Sequence, residues 1–241
     1  MALVARPRRP CYRTGVPIQN GVRRWTVGGV AAMLIAATVV GCSREASNGA
    51  PAAATPVVAP DSFEVTFATT KGDVVVHVHR DWAPRGADRL YALVRDGFYD
   101  DTRFFRVLDG FMAQFGASGD PVVSSRWRDS LIADDSAVQS NRRGRLTFAS
   151  AGPNTRTTQL FINTADNPRL DGMGFSPLGE VMSGMAAVDS LYPGYGEGAP
   201  SGGGPDQGRI ADEGNAYLDR DFPRLDGIRQ ARITREWPGG R

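Results

Sequence analysis

Residues 63–79 carry the pattern of a β-hairpin, which directs the chain toward an antiparallel β fold. Apolar residues occupy every second position from Phe63 to Phe67, a turn follows at Lys71-Gly72-Asp73, and the alternation resumes from Val74 to Val78. Successive side chains of a strand point to opposite faces, so this pattern predicts a sheet with one buried face. A Gly-containing turn between two such runs favours a hairpin.

The elements that follow are mostly short and β-like. A helix is expected over Ala83–Gly97, because Pro84 is placed to start it and Gly97 to end it. Four further strands are then predicted, at Phe104–Leu108, Phe111–Phe115, Arg145–Phe148 and Leu160–Asn163. Strands and helices do not alternate as in parallel α/β proteins, so a closed antiparallel barrel with a few helices fits best.

The C-terminal part reads as a loop, a helix and a strand. Residues Gly194–Gly208 are dense in glycine and proline, which predicts a loop. Apolar residues recur at helical spacing over Asn215–Ile228, with an interruption at Pro223. A last strand is expected over Ile228–Arg235, and the sequence offers no role for the segment 195–228.

The first 41 residues have the features of a signal peptide. Arginines up to Arg24 precede a mostly apolar run, Trp25–Val40, which is shorter than the ~20 residues of a membrane-spanning helix. The run ends in Gly41-Cys42, which resembles the bacterial lipobox. That resemblance implies cleavage after Gly41 and lipidation of Cys42. An uncleaved anchor, or a plain secretory signal with an incidental cysteine, are the alternatives.

A folded domain is expected only from residue 62 to residue 241. Residues 42–61 form a tether rich in Ala and Pro, with too little apolar surface to fold. The leader holds six arginines and no acid, so the other residues keep 22 basic and 26 acidic side chains out of totals of 28 and 26. The net positive charge therefore belongs to the leader and gives no reason to expect a nucleic-acid partner.

Cysteine usage excludes several kinds of site from the domain. The two cysteines are Cys11 and Cys42, so none follows the lipobox. A disulfide, a thiol nucleophile and a cysteine-based metal site are therefore excluded from residues 62–241. No cofactor is expected.

Three segments resemble the signatures of cyclophilin-type peptidyl-prolyl cis/trans isomerases. They are Phe104–Gly116 (FFRVLDGFMAQFG), Gly144–Ile162 (GRLTFASAGPNTRTTQLFI) and Leu170–Val181 (LDGMGFSPLGEV). The resemblance runs from about Phe63 to Ile233. It implies a mainly β fold, an eight-stranded antiparallel closed barrel capped by helices, with the active site in an outer groove.

The resemblance also carries over a set of groove residues by motif position. It implies that Arg106 and Gln114 are catalytic, and that the substrate is held by Phe111, Met112, Ala149, Ser150, Gln159, Phe161, Leu170 and Phe175. Arg106 lies in an apolar run, where an unpaired charge would be costly, so either a function or a buried partner is expected for it.

The sequence departs from the well-studied eukaryotic members at several groove positions. Arg169 stands where those members have tryptophan, which implies weak binding of cyclosporin. Phe175 falls near their histidine, Ser150 replaces an asparagine and Phe105 replaces a histidine. Arg106 and the proline socket survive these changes, so activity is still expected.

Several other interpretations compete with this one. His77 and His79 share a strand face and could bind metal, but no third ligand is apparent, so no metal site is expected. Asp134 and Asp135 are interpreted as solvated loop carboxylates. The main alternative function is a non-catalytic peptide-binding chaperone on the same fold. The expected partners are proline-containing envelope or secreted polypeptides and the membrane at the lipid anchor, with a monomer as the family default.

Overall fold

The computed structural model describes residues 57–238. The predicted signal peptide, Cys42 and most of the tether lie outside the described residues. None of the helices formed by these residues has the length and the apolar run that a membrane span requires.

The predicted hairpin is confirmed as the first two strands of the sheet. β1 (Ser62–Thr69) and β2 (Gly72–His79) pair in antiparallel register, with Val65 opposite Val76. The apolar side chains at alternate positions of both strands are fully buried, among them those of Phe63 and Phe67 in β1. The alternation in the sequence therefore marks the face of the sheet that covers the core.

Nine antiparallel strands make one curled sheet, in the order β3-β9-β1-β2-β8-β6-β7-β5-β4. The remaining strands are β3 (Thr102–Arg103), β4 (Arg106–Leu108), β5 (Met112–Phe115), β6 (Arg145–Phe148), β7 (Leu160–Asn163), β8 (Pro177–Ser183) and β9 (Gly227–Trp237). The mainly β, helix-decorated architecture is confirmed. The expectation of eight strands in a closed barrel is corrected to nine strands in a half-barrel.

The sheet does not close into a barrel, because Phe104 and Phe105 interrupt the strand between β3 and β4 and these two strands do not pair with each other. These two residues separate β3 from β4, which are the two ends of the sheet order. The Phe104 amide donates to the Asp226 carbonyl at 2.9 Å, and its ring enters the main core. Phe105 faces the other way and packs with Ile210 and Leu218. The strand predicted over Phe104–Leu108 is therefore shortened to its second half.

Five α-helices flank the sheet within residues 57–238: α1 (Pro84–Arg95), α2 (Pro121–Trp127), α3 (Met185–Asp189), α4 (Gln207–Glu213) and α5 (Asn215–Asp221). The first was predicted, and Gly97 ends it in a left-handed conformation with φ of 70°. There the amides of Gly97 and Phe98 donate to the carbonyls of Val94 and Leu93, which is the Schellman arrangement. Helices α2, α3 and α4 were not predicted from the sequence, and α5 ends before Pro223 as its pattern indicated.

Asp135 is not a solvated carboxylate, and that expectation is wrong. Its side chain is 1% exposed and forms a salt bridge with Arg156 at 3.1 Å. Its oxygens also accept from the amides of Arg85 and Gly86, at 3.1 and 2.9 Å. The N-cap residue of α1, Ala83, provides no side-chain cap, so Asp135 supplies the missing acceptor from a distant loop.

Candidate active site

Strand pairing places the predicted groove residues side by side on the outer face of the sheet. Arg106 of β4 lies opposite Gln114 of β5, and Gln114 lies opposite Phe161 of β7. The period of two sends their neighbours Ala113 and Phe115 into the main core instead. The pairing register of β4, β5 and β7 therefore places alternate residues in the core and in the groove.

A small apolar pocket of about 200 Å³ opens on this face. Nine of the ten predicted groove residues line it: Arg106, Phe111, Met112, Gln114, Ala149, Ser150, Phe161, Leu170 and Phe175. Met112, Phe161 and Leu170 form its buried floor. The tenth, Gln159, lines an adjoining cavity of about 480 Å³, together with Ala149 and Ser150.

Phe111 reaches the pocket from the tip of the β4–β5 hairpin. Leu108 and Met112 are paired, so the connecting loop is only Asp109 to Phe111. Gly110 has a φ of 66°, a left-handed conformation that glycine adopts without a steric penalty. The glycine within the signature therefore fixes the turn that aims Phe111.

Leu170 and Phe175 are held by a polar network that the sequence analysis did not identify. Leu170 lies on a short 3₁₀-helix, Pro168–Met173. The side-chain amide of Asn167 donates to the Phe111 carbonyl at 2.9 Å, and that of Asn141 donates to the Phe175 carbonyl at 2.8 Å. Both bonds tie the walls of the pocket to buried side chains.

The same network includes the carboxylate of Asp171. Burial opposes the charged form of this group, but hydrogen bonds from Ser140 and Asn141 outweigh burial and lower the pKa of Asp171. The carboxylate stays ionised and anchors the 3₁₀-helix beside the pocket. An Asn- and Asp-rich sequence near the signatures was the only available signal for this network.

Arg106 forms a salt bridge with a carboxylate, that of Glu197. Its Nε and Nη2 atoms donate to Oε1 and Oε2 of Glu197, at 2.6 and 2.7 Å. This hydrogen-bonded pairing, together with the positive charge of Arg106, lowers the pKa of Glu197 despite partial burial. Glu197 belongs to the loop over Gly194–Gly208, and the sequence analysis missed it.

A chain of side-chain amides continues from Arg106 along the groove. Nη1 of Arg106 donates to Gln114 at 3.0 Å, and the Gln114 amide donates to Gln159 at 2.8 Å. Gln159 in turn donates to Gln207 at 3.1 Å. Gln207 begins α4 and also lines the pocket, yet it was not predicted.

Two of the residues that depart from the family pattern, Arg169 and Phe175, lie at or beside the pocket. The guanidinium carbon of Arg169 lies 4.8 Å from the centre of the Phe111 ring, a cation–π arrangement. Phe175 packs edge-on against Phe161, with ring centres 5.8 Å apart. Arg169 therefore contacts the pocket residue Phe111 from outside, and Phe175 forms part of the pocket wall.

His77 and His79 lie outside this groove, in an aromatic cluster on the sheet. Their rings are 4.5 Å apart, and His79 stacks on Trp82 at 3.9 Å. Burial, followed by the neighbouring His77, lowers the pKa of His79. Within residues 57–238, no group of three or more metal-ligating side chains comes together. Both histidines contact neighbouring aromatic rings, and neither lines the groove pocket.

The arrangement combines an apolar socket with a fixed cationic donor at its edge. The socket fits a compact apolar ring, and the guanidinium presents N–H donors in a planar fork. Such a site can hold a ring and donate to an atom beside it. Neither His77 nor His79 is among the residues that line this pocket.

Comparisons with known proteins agree with this geometry. Residues 64–202 match the family model described as cyclophilin type peptidyl-prolyl cis-trans isomerase/CLD. The chain is 33% identical over 135 residues to peptidyl-prolyl cis-trans isomerase B of Escherichia coli, a match that covers 53% of this chain and 82% of that protein. It is also 33% identical over 133 residues to peptidyl-prolyl cis-trans isomerase-like 1 of Gibberella zeae, covering 53% and 80%.

A solved structure shows the same fold. The cyclophilin type peptidyl-prolyl cis-trans isomerase of Cryptosporidium parvum aligns with a TM-score of 0.52 and 22% identity, covering 71% of this chain and 97% of that one. The nine-stranded half-barrel and the signature residues around Arg106 fit these matches. The chain therefore belongs to the cyclophilin-type peptidyl-prolyl cis/trans isomerase family.

Proposed function

We propose that this isomerase accelerates the folding of proline-containing polypeptides outside the cytoplasm, and that Arg106 is its central catalytic residue. One observation carries the assignment of the residue: the Arg106 guanidinium lines the same pocket as the apolar side chains of Phe111, Met112 and Phe161. A proline ring seated there places its amide bond next to a cationic donor.

The chemistry requires only that the twisted amide be bound better than the planar forms. Rotation about the X–Pro bond faces a barrier of about 18–20 kcal/mol, because the nitrogen lone pair is shared with the carbonyl. When the bond twists, that lone pair becomes a hydrogen-bond acceptor. An N–H of Arg106 can then donate to it, and this interaction exists only in the transition state.

The other groove residues hold the substrate or orient the arginine. Gln114 accepts from Nη1 of Arg106, so its role is to orient the guanidinium. Ala149 and Ser150 lie between the pocket and the adjoining cavity, which lets an extended peptide run past them. Gln159 supports Gln114 from that cavity.

The test is the exchange rate of a proline-containing tetrapeptide. The purified full chain in detergent is expected to speed cis-to-trans exchange in proportion to its concentration, as followed by exchange NMR. Inactivity on several peptides, together with binding of an unfolded proline-rich protein, would contradict catalysis and favour the chaperone alternative.

Cys42 is proposed as the lipidated N-terminus that holds the domain at the cell envelope. The support is the Gly41-Cys42 junction after the apolar run, followed by the Ala/Pro tether. Several acyl chains on one residue give stable attachment, because each buried methylene contributes about 0.8 kcal/mol.

Labelled palmitate fed to a bacterial host is expected to enter the wild-type chain and to be absent from Cys42→Ala. Cys11→Ala serves as the matched control, because Cys11 lies in the part of the leader that is removed. Equal labelling of wild type and Cys42→Ala would rule out this anchor.

A further inference from the structure

The loop over Gly194–Gly208 brings a carboxylate to the arginine of the groove. Glu197 is separated from Arg106 by 91 positions in the sequence, yet both of its oxygens accept hydrogen bonds from that guanidinium. The side chain of Arg106 is 22% exposed and that of Glu197 is 38% exposed. A paired, partly desolvated carboxylate of this kind holds a guanidinium more firmly than a surface contact does.

The backbone of the loop holds Glu197 in turn. The Gly198 amide donates to Oε1 of Glu197 at 3.0 Å, and the Glu197 carbonyl accepts from Gly204 at 2.8 Å. A Cβ at position 204 would lie only 2.8 Å from that carbonyl, so the close approach requires glycine. The glycine-rich composition thus serves a compact loop, with Glu197 fixed at its centre.

The pairing leaves donors of Arg106 available to a substrate. A guanidinium has five N–H donors. Three of them bond to Glu197 and Gln114. Within residues 57–238, one N–H on Nη1 and one on Nη2 make no hydrogen bond to oxygen, although Met112 Sδ lies 4.0 Å from Nη1. Glu197 therefore occupies the Nε/Nη2 edge of the Arg106 guanidinium and leaves two N–H donors available to the amide of a substrate.

We propose that Glu197 is a positioning residue, which fixes the guanidinium of Arg106 in the orientation that donates to the twisted amide. This inference rests on the proposed role of Arg106. An arginine side chain has many rotamers, so a free guanidinium would lose part of its binding energy on becoming ordered. Because Glu197 already orders the guanidinium in the free protein, substrate binding does not have to order it.

The opposite role, a carboxylate that competes with substrate, makes a contrary prediction. If Glu197 blocked Arg106, its removal would raise the rate. If Glu197 positions Arg106, its removal lowers kcat, because a displaced catalytic group is costly even over distances near 1 Å. The sign of the change therefore decides between the two roles.

The experiment measures prolyl exchange for the full chain carrying Glu197→Ala, Glu197→Gln or the control Glu213→Ala. Glu213 is a carboxylate of the same C-terminal segment, but it pairs with Arg209 and Arg220 rather than with Arg106. Glu197→Ala is expected to lower kcat about tenfold or more, with a smaller change in KM. Glu197→Gln, which keeps one acceptor, is expected to fall between wild type and Glu197→Ala.

An NMR readout separates positioning from a general structural effect. The Nε–Hε resonance of Arg106 is expected to shift and exchange faster with water in Glu197→Ala, and to stay unchanged in Glu213→Ala. An unchanged or raised kcat in Glu197→Ala would overturn the inference, provided that wild type is active and Arg106→Ala is not. Inactive wild type would instead refute the proposed function itself.

Discussion

Arg106→Ala is expected to lower kcat/KM for prolyl exchange by about 10²–10³-fold, the loss typical when one preorganised transition-state donor is removed. The socket of Phe111, Met112 and Phe161 is untouched by this change, so a proline ring still binds. KM should therefore change much less than kcat. Exchange NMR at several peptide concentrations separates the two parameters.

Two further variants make this prediction specific. Arg106→Lys keeps the charge but loses the planar fork, so it should recover only a small part of the rate. Arg232 lies on β9, away from the groove strands in the sheet order, and pairs with Asp100. Arg232→Ala should therefore keep the kcat/KM of wild type. Near-normal activity of folded Arg106→Ala would show that another group stabilises the twisted amide.

Asp135→Ala is expected to reduce the free energy of unfolding by about 3–5 kcal/mol, the range seen when one partner of a buried ion pair is removed. The change removes the buried carboxylate that pairs with the Arg156 guanidinium, and it takes the acceptor away from the first turn of α1. Urea unfolding followed by circular dichroism measures the loss.

Asp134→Ala is the matched control for that measurement. Asp134 is the neighbouring carboxylate, its side chain is 30% exposed, and it contacts the same Arg156 at 3.3 Å. Because water can replace much of what it provides, its removal should cost clearly less. Equal losses for the two variants would mean that burial of Asp135 does not set its contribution.

The sequence predicted those elements that carry their own local signal. The hairpin from Phe63 to His79 has a period of two, and α1 has Pro84 at its start and Gly97 at its end. The groove was predicted by resemblance, and the pairing of β4, β5 and β7 then explains why residues far apart in sequence meet. The ends of the strands were predicted less accurately: the strand expected over Phe104–Leu108 begins only at Arg106.

Features that depend on long-range contacts were not predictable. Glu197 is one glutamate in a glycine-rich stretch, and no local pattern links it to Arg106. Asp135 reads as a loop residue until the fold places it against α1 and Arg156. The helix α3 has only five residues, too few for a helical period to be recognised.

The pairing of β1 with β9 has a consequence for the order in which the protein can fold. β1 lies between β2 and β9, so the first strand of the domain has the last strand as one of its two neighbours. While the chain emerges N-terminus first, Thr66 and Phe67 lack their partners Arg232 and Ala231. The β1–β9 pairing joins strands from opposite ends of the domain, so the sheet is complete only after β9 has been synthesised.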